Sequence, residues 1–315
     1  MKLIKRRKKD PTGLKKLAVL FVLLAGTLWG CIGIFVRQYN ELGLSSMQTV
    51  AVRMVIAAVL FALFVLIYKR SLFKIRLKDI WIFLGSGVIS VGLFTYCYFS
   101  SIELSSLSVA AVLLYTAPAF VMLFSLIFFK EKMTIAKGVS LVLAVLGCAM
   151  TTGVIGGSLN VTLLGFLFGL GSGICYALYS IFSRFALDRG YEPFTITLYT
   201  FLFSAVFCLC VTDIRPVIGV VFADAGSAGY ALLFALVSCI LPYVFYTLGL
   251  KHIASSTASI IATVEPVVAT IIGAVVFSEP LAVPFGYLGV ALVFLSVVLI
   301  NIKMPTKPCI SNKTA

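Results

Sequence analysis

Long apolar runs, separated by short clusters of charge, glycine, proline or asparagine, organise this chain from end to end. Ten runs stand out, at roughly residues 14–36, 47–68, 79–101, 106–129, 134–152, 162–186, 194–212, 228–250, 255–277 and 282–302. A helix of about 20 largely apolar residues crosses a hydrocarbon core of about 30 Å, so each run predicts one membrane-spanning helix. The connections are short, and none holds a soluble domain. The first run follows a basic stretch, as in a secretory signal, but it is too long for such a signal and lacks a clear small-x-small cleavage site. It is expected to stay as the first helix.

Composition sharpens this reading. Of the 315 residues, 61% are apolar and 11% charged, whereas soluble domains run near half apolar and a quarter charged. The formal net charge of +14 would suit a nucleic-acid binder, but the placement of the basic residues argues against one. Eight of the 25 lie in the first sixteen residues, and most others sit in short loops. Counted on alternate sides of ten spans, 22 fall on the side of the termini. Arg37 and Arg215 fall on the other, and Arg53 lies inside a span. Lysine and arginine beside apolar spans set topology and touch anionic headgroups. The expectation is a multi-pass plasma-membrane protein with both termini cytoplasmic, lipid headgroups at its basic N-terminus and no nucleic-acid partner. Seven of the eight cysteines lie in apolar spans, where a free thiol behaves as a small hydrophobe. No disulfide framework, metal spacing or cofactor motif is apparent.

The two halves align at a nearly constant offset of 147 to 148 residues. Ser108-Val-Ala matches Ser256-Thr-Ala, Pro118 matches Pro266, Glu131 matches Glu279 and Gly138 matches Gly286. Trp29 matches Tyr176, Phe35 matches Phe182, Arg37 matches Arg184 and Tyr98 matches Tyr246. Each half has five spans, an odd number, so the second must enter the membrane from the opposite face. The fold class expected is all-α, ten transmembrane helices in two inverted five-helix repeats. The organisation is a basic tail (1–16), a first repeat (17–152), a second repeat (162–302) and a second tail (303–315). Inverted repeats are the architecture of alternating-access transporters, with substrate near midplane at the repeat interface.

Each half carries a helix with a central proline, an acidic residue at the following loop (Phe129-Lys130-Glu131 and Phe277-Ser278-Glu279) and a glycine-containing last helix. Across about residues 17–301 this order resembles the EamA-type members of the drug/metabolite transporter superfamily. The resemblance implies an exporter or importer of small metabolites, often amino acids, and no particular substrate.

Glu265 is the sharpest candidate for the transport chemistry. It lies in the middle of the ninth span beside Pro266, and a carboxylate at that depth usually faces a cavity or a partner. Ala258, Ala262, Ala269 and Gly273 share its helical face at spacings of four and three, a stripe for close helix packing, so Glu265 is expected to point into the bundle. Its repeat mate is Ala117, which breaks the symmetry. Proton coupling or amine binding is the functional reading; a hydrogen-bonded structural glutamate is the plain one. Arg53, two turns into the second span, suits an anionic substrate group, or snorkels and pairs with Glu41 or Glu103. Trp29, Tyr96, Tyr98, Tyr115, Tyr176, Tyr179, Tyr199, Tyr243 and Tyr246 carry polar tips at inward-looking positions, although an interfacial belt explains several such residues. Trp29 with Tyr176, and Tyr98 with Tyr246, are the better cavity candidates, Tyr98 at an outer gate and Tyr246 at an inner one. Pro118 and Pro266 remove a backbone donor at mid-helix and serve either as hinges or as shapes in the packing. His252, the single histidine, belongs to a solvated helix end.

With one histidine and scattered acids, no catalytic set presents itself, and no phosphate-binding loop is present to hold ATP. The reading is a secondary transporter, an exporter of small polar metabolites such as amino acids, by alternating access and proton-coupled through Glu265. A channel is the alternative, and a membrane-embedded enzyme a more distant one. A homodimer is compatible with either.

Overall fold

The computed structural model describes residues 11–151, 162–278 and 285–302. The cluster from Lys2 to Lys9, Glu279, Pro280, Cys309 and the lysines of the C-terminal tail lie outside the described residues. Among the described residues there is no strand. Eight helices are long and apolar enough to cross a membrane: α1 Gly13–Glu41, α2 Ser46–Tyr68, α3 Leu77–Leu104, α4 Leu107–Phe129, α6 Leu163–Asp188, α7 Pro193–Val211, α8 Ala225–Leu250 and α9 Ser255–Val276. Two shorter apolar helices, α5 (Ile135–Thr151) and α10 (Phe285–Ile302), complete the ten segments. Helix α1 runs further than the apolar pattern suggested. A short helix at Arg215–Val221, which the pattern did not mark, sits in the connection between α7 and α8.

Local chemistry sets the boundaries. The Ser45 hydroxyl accepts from the Gln48 amide at 3.3 Å while the Gln48 side chain accepts from the Ser45 amide at 2.8 Å, a reciprocal cap that starts α2. Thr162 and Asp224 cap α6 and α8 in the simpler way, each accepting from the amide three residues on. Pro193 occupies the first turn of α7, where no amide donor is missed.

The backbone records the internal repeat. Four described residues have positive φ: Gly43 (80°), Lys130 (51°), Gly190 (87°) and Ser278 (55°). Gly43 and Gly190 are 147 residues apart, and Lys130 and Ser278 are 148 apart. Interior irregularities pair as well. Helix α3 widens to a π-helix over Gly85–Leu93, and α8 does so over Leu236–Ile240. Helix α4 breaks at Thr116 and α9 at Thr263. At both breaks the threonine amide reaches back three residues, to the carbonyl of Leu113 at 3.3 Å and of Ile260 at 3.2 Å. Each threonine hydroxyl also donates to that carbonyl at 2.6 Å. Pro118 and Pro266 stand two and three residues later, so the lost proline donor falls where the helix is already interrupted.

Packing between helices obeys the same exchange of halves. Helix α3 lies on α6 as α8 lies on α1; α4 lies on α6 as α9 lies on α1; and α2 meets α7, α4 meets α9 and α5 meets α10. Small residues make these approaches possible, as van der Waals contact must hold membrane helices together. A Cβ added at Gly26 would stand 2.7 Å from Val264, and one at Gly30 would stand 2.8 Å from the Glu265 carbonyl oxygen. On α6, a Cβ at Gly169 would reach Leu113 at 2.4 Å. Between α5 and α10 the contact is symmetric, Gly147 against the carbonyl of Gly289 and the reverse.

Replacing Gly147 by Val is expected to force α5 from α10 and to destabilise the protein by about 1–3 kcal/mol. Gly138→Ala in the same helix, where nothing lies within 4 Å of the new methyl, should be neutral or stabilising by about 0.5–1 kcal/mol. Thermal unfolding of the detergent-solubilised protein tests the pair. Equal midpoints for the two variants would mean that α5 and α10 do not meet through these glycines.

Candidate functional site

The breaks in α4 and α9 border a cavity of about 710 Å³, and the π segment of α3 ends beside one of its lining residues, Phe94. The cavity begins at mid-bundle beside Trp29, Tyr176 and Tyr243 and reaches Arg37, Asn40, Glu103 and Phe277 at the face opposite the lysine-rich loops. Asn40 and Glu103 are exposed, so the cavity communicates with that face. The Arg37 guanidinium lies 4.1 Å from the centre of the Phe277 ring at the mouth.

Glu265 lines the inner part of this cavity. The Thr263 break puts it at the second residue of a new helical segment, Val264–Val276, where partial positive charge of free amides favours a carboxylate. Tyr176 Oη donates to Glu265 Oε2 at 3.2 Å. Gly30 on α1 lets the Glu265 backbone approach closely, so the small-residue contacts between α1 and α9 fix the depth of the carboxylate.

Arg53 lines the cavity from α2 and is 8% exposed. Among the described residues it makes no ion pair with Glu41 or Glu103, and its Nε is buried without a partner. A guanidinium cannot shed its charge in a protein, so this orphan donor is a standing demand for an acceptor. Arg53 and Glu265 thus put opposite charges on different walls of one chamber.

The remaining sequence candidates divide by depth. Tyr98 and Tyr115 line the cavity, Tyr115 at the α4 break. Trp29, Tyr176 and Tyr243 form its inner wall, with Trp29 edge-on to both tyrosines at ring distances of 6.2 Å and 5.4 Å. Tyr246 lies outside the cavity, in a buried layer beneath that wall, 5.4 Å from the Trp29 ring. There Tyr246 Oη and Ser180 Oγ share a hydrogen bond of 2.8 Å, and Tyr179 Oη and Thr247 Oγ1 one of 2.9 Å. A void of only about 10 Å³ remains in this layer, the lower limit for one water. The structure therefore brings Trp29 and Tyr176 together, whereas Tyr98 and Tyr246 lie at different levels. Pro118 is buried behind the α4 break, and Pro266 touches the cavity.

Two aromatic positions differ from the inward expectation. Tyr96 is 50% exposed and packs edge-on against Phe168; two residues before Tyr98, it stands on the opposite side of α3. Tyr199 donates to the Phe73 carbonyl at 2.6 Å and braces the connection between α2 and α3. Conversely, Thr49, Thr95 and Thr270 line the cavity unannounced by the sequence, since small hydroxyls in apolar runs carry no mark of their own, and Ser108, marked only by the repeat, lines it too. Among the described residues no group of His, Cys, Asp and Glu is arranged to hold a metal.

The model of the EamA-like transporter family matches residues 16–153 and again 163–302. An uncharacterized transporter of Archaeoglobus fulgidus (strain ATCC 49558 / DSM 4304 / JCM 9628 / NBRC 100126 / VC-16) is 27% identical over 271 residues, covering 85% of this chain and 92% of that protein. The uncharacterized transporter YxxF of Bacillus subtilis (strain 168) is 27% identical over 310 residues, 96% of this chain and 94% of the relative. A solved crystal structure of a protein 16% identical in sequence superposes with a TM-score of 0.74 over 90% of this chain and 96% of the other, a likeness of fold. The two matched stretches, one in each half, account for nearly all of the sequence: the chain belongs to the EamA-like transporter family.

Proposed function

We propose that this transporter is a secondary exporter of small polar metabolites such as amino acids, working by alternating access and coupled to protons through Glu265. The observation that carries the reading is the one-sided cavity. It is open from mid-bundle to the face away from the lysine-rich loops and closed below by the hydrogen-bonded layer of Tyr179, Ser180, Tyr246 and Thr247. Two inverted repeats that can exchange conformations turn such a chamber toward the other face. A sealed layer with room for at most one water does not suit a continuous pore, which favours a carrier over a channel.

In this reading the lysine-rich face and both termini are cytoplasmic, in a plasma membrane, with the basic N-terminus against anionic headgroups. Arg53 takes an acidic group of the substrate. Glu265 takes either its amine or a proton, with the Tyr176 hydroxyl bound to the charged form. The aromatic wall accepts an apolar or cationic surface.

The test is uptake of amino acids, amines and organic acids by the purified protein in liposomes, with and without an imposed pH gradient. Saturable uptake that follows the gradient, and that loses this dependence in Glu265→Gln, is expected. Saturable uptake indifferent to gradient and variant would leave a uniporter, and ion conductance without saturation would replace the carrier by a channel. A second variant probes the closed layer. Tyr246→Ala removes a buried hydrogen bond and ring contacts totalling about 1–3 kcal/mol. It is expected to lower saturable uptake on the order of tenfold with expression unchanged, and unaltered uptake would remove Tyr246 from the gate.

A further inference from the structure

At the closed end one acidic side chain does work that the cavity does not explain. Glu131 lies in the connection between α4 and α5, immediately after the left-handed corner at Lys130. Its side chain is only 8% exposed. Oε1 accepts from the Ser255 amide at 3.1 Å, and Oε2 accepts from the Ser256 hydroxyl at 2.5 Å. Lys137 Nζ, itself 6% exposed, pairs with the same carboxylate at 3.3 Å. Ser255 is the first residue of α9, and the residue before it, Ala254, offers no side chain to cap the helix. The repeat-crossing carboxylate therefore replaces the missing cap: it binds the free amide and places negative charge at a helix N-terminus. Nearby, Arg184 of α6 donates to the Leu250 carbonyl at 3.3 Å and pairs with Asp188 at 3.1 Å. The segment between α8 and α9 is thus held from two sides, directly below the layer containing Tyr246 and Thr247.

The repeat-related position at the open end looks different. Ser108, the counterpart of Ser256, lines the cavity together with its neighbour Leu107, whereas Ser255 and Ser256 are buried. The first turn of α4 is capped from within, the Ser106 hydroxyl accepting from the Val109 amide at 3.2 Å. The start of α9 is pinned to the other repeat; among the described residues the start of α4 is capped from within its own turn and borders open space.

We propose that Glu131 is a positioning residue for transport: by pinning the first turn of α9 it holds the lysine-rich face shut, and the chamber turns to that face only when the carboxylate releases Ser255 and Ser256. This inference rests on the alternating-access reading above. It also links Glu131 to Glu265, since the pinned segment Ser255–Ala262 ends at the Thr263 break, two residues before Glu265.

The test is amide hydrogen exchange of the full-length protein in lipid nanodiscs without any substrate, comparing wild type, Glu131→Ala, Glu131→Gln and Ser256→Ala. Loss of hydrogen bonds to a charged acceptor is expected to accelerate exchange across 243–258 and 176–183 by about tenfold or more. Because the variants shift one conformation toward the other, exchange across 94–114, at the open cavity, should slow at the same time. Ser256→Ala, a small change that preserves folding, should show both effects more weakly, and Glu131→Gln should fall between. Unchanged exchange in the variants overturns the proposal. So does faster exchange at both ends, which marks a loosened bundle and not a turned one. If Glu131→Ala does not fold, Ser256→Ala and Glu131→Gln decide by the same opposed signs. Transport does not enter the readout, so a failed uptake assay with opposed exchange sinks the carrier reading and leaves the pin standing.

Discussion

The backbone itself imposes the governing constraint on this bundle. Within a hydrocarbon core no water meets an unpaired amide or carbonyl, so a spanning chain must satisfy its own hydrogen bonds or line a protected space. The α4 and α9 breaks and the two π segments depart from regular helix, and the two breaks border the large cavity. Where the ladder fails, Thr116 and Thr263 occupy the preceding carbonyls with their own amides and hydroxyls. The breaks are therefore tolerated because they open onto the chamber, and the chamber takes its shape from the breaks.

Charge inside the bundle follows from that arrangement. Glu265 sits just beyond a break, at a turn with free amides, and Tyr176 satisfies one of its oxygens. Arg53 has no such provision; its Nε is left to the cavity. Neither residue has a charged repeat mate, Ala117 and Thr200 standing in their places. The scaffold is close to two-fold, while the charges it presents to a bound molecule are not. Duplication supplies the geometry of exchange, and departures from it supply the chemistry.

Much of this architecture was legible in the sequence because a membrane leaves few solutions. The ten apolar runs could hardly be anything but helices, and the 147-to-148 offset appeared in side chains before it appeared in φ angles. Glu265 and Arg53 stood out because a charge in an apolar run is conspicuous, and Trp29 and Tyr176 because their positions repeat. Other features depend on coordinates alone. The π segments of α3 and α8 are of this kind, since no residue type announces them. The short helix at Arg215–Val221 lies in a stretch without apolar periodicity of spanning length. Glu131 read as a loop acid, since its partners Ser255 and Ser256 lie 124 and 125 residues along the chain.

The corners at Lys130 and Ser278 carry one further implication. They share a left-handed backbone that neither lysine nor serine favours, so the bend has outlasted the divergence of the residues that make it. Only the lysine bears a charge, and charge of that kind is what the insertion machinery reads when it orients a helix. Shape and address are thus written in separable layers of the same loop. Exchanging Lys130 for serine would remove the charge from this corner and leave there a residue that already adopts the same backbone at the other.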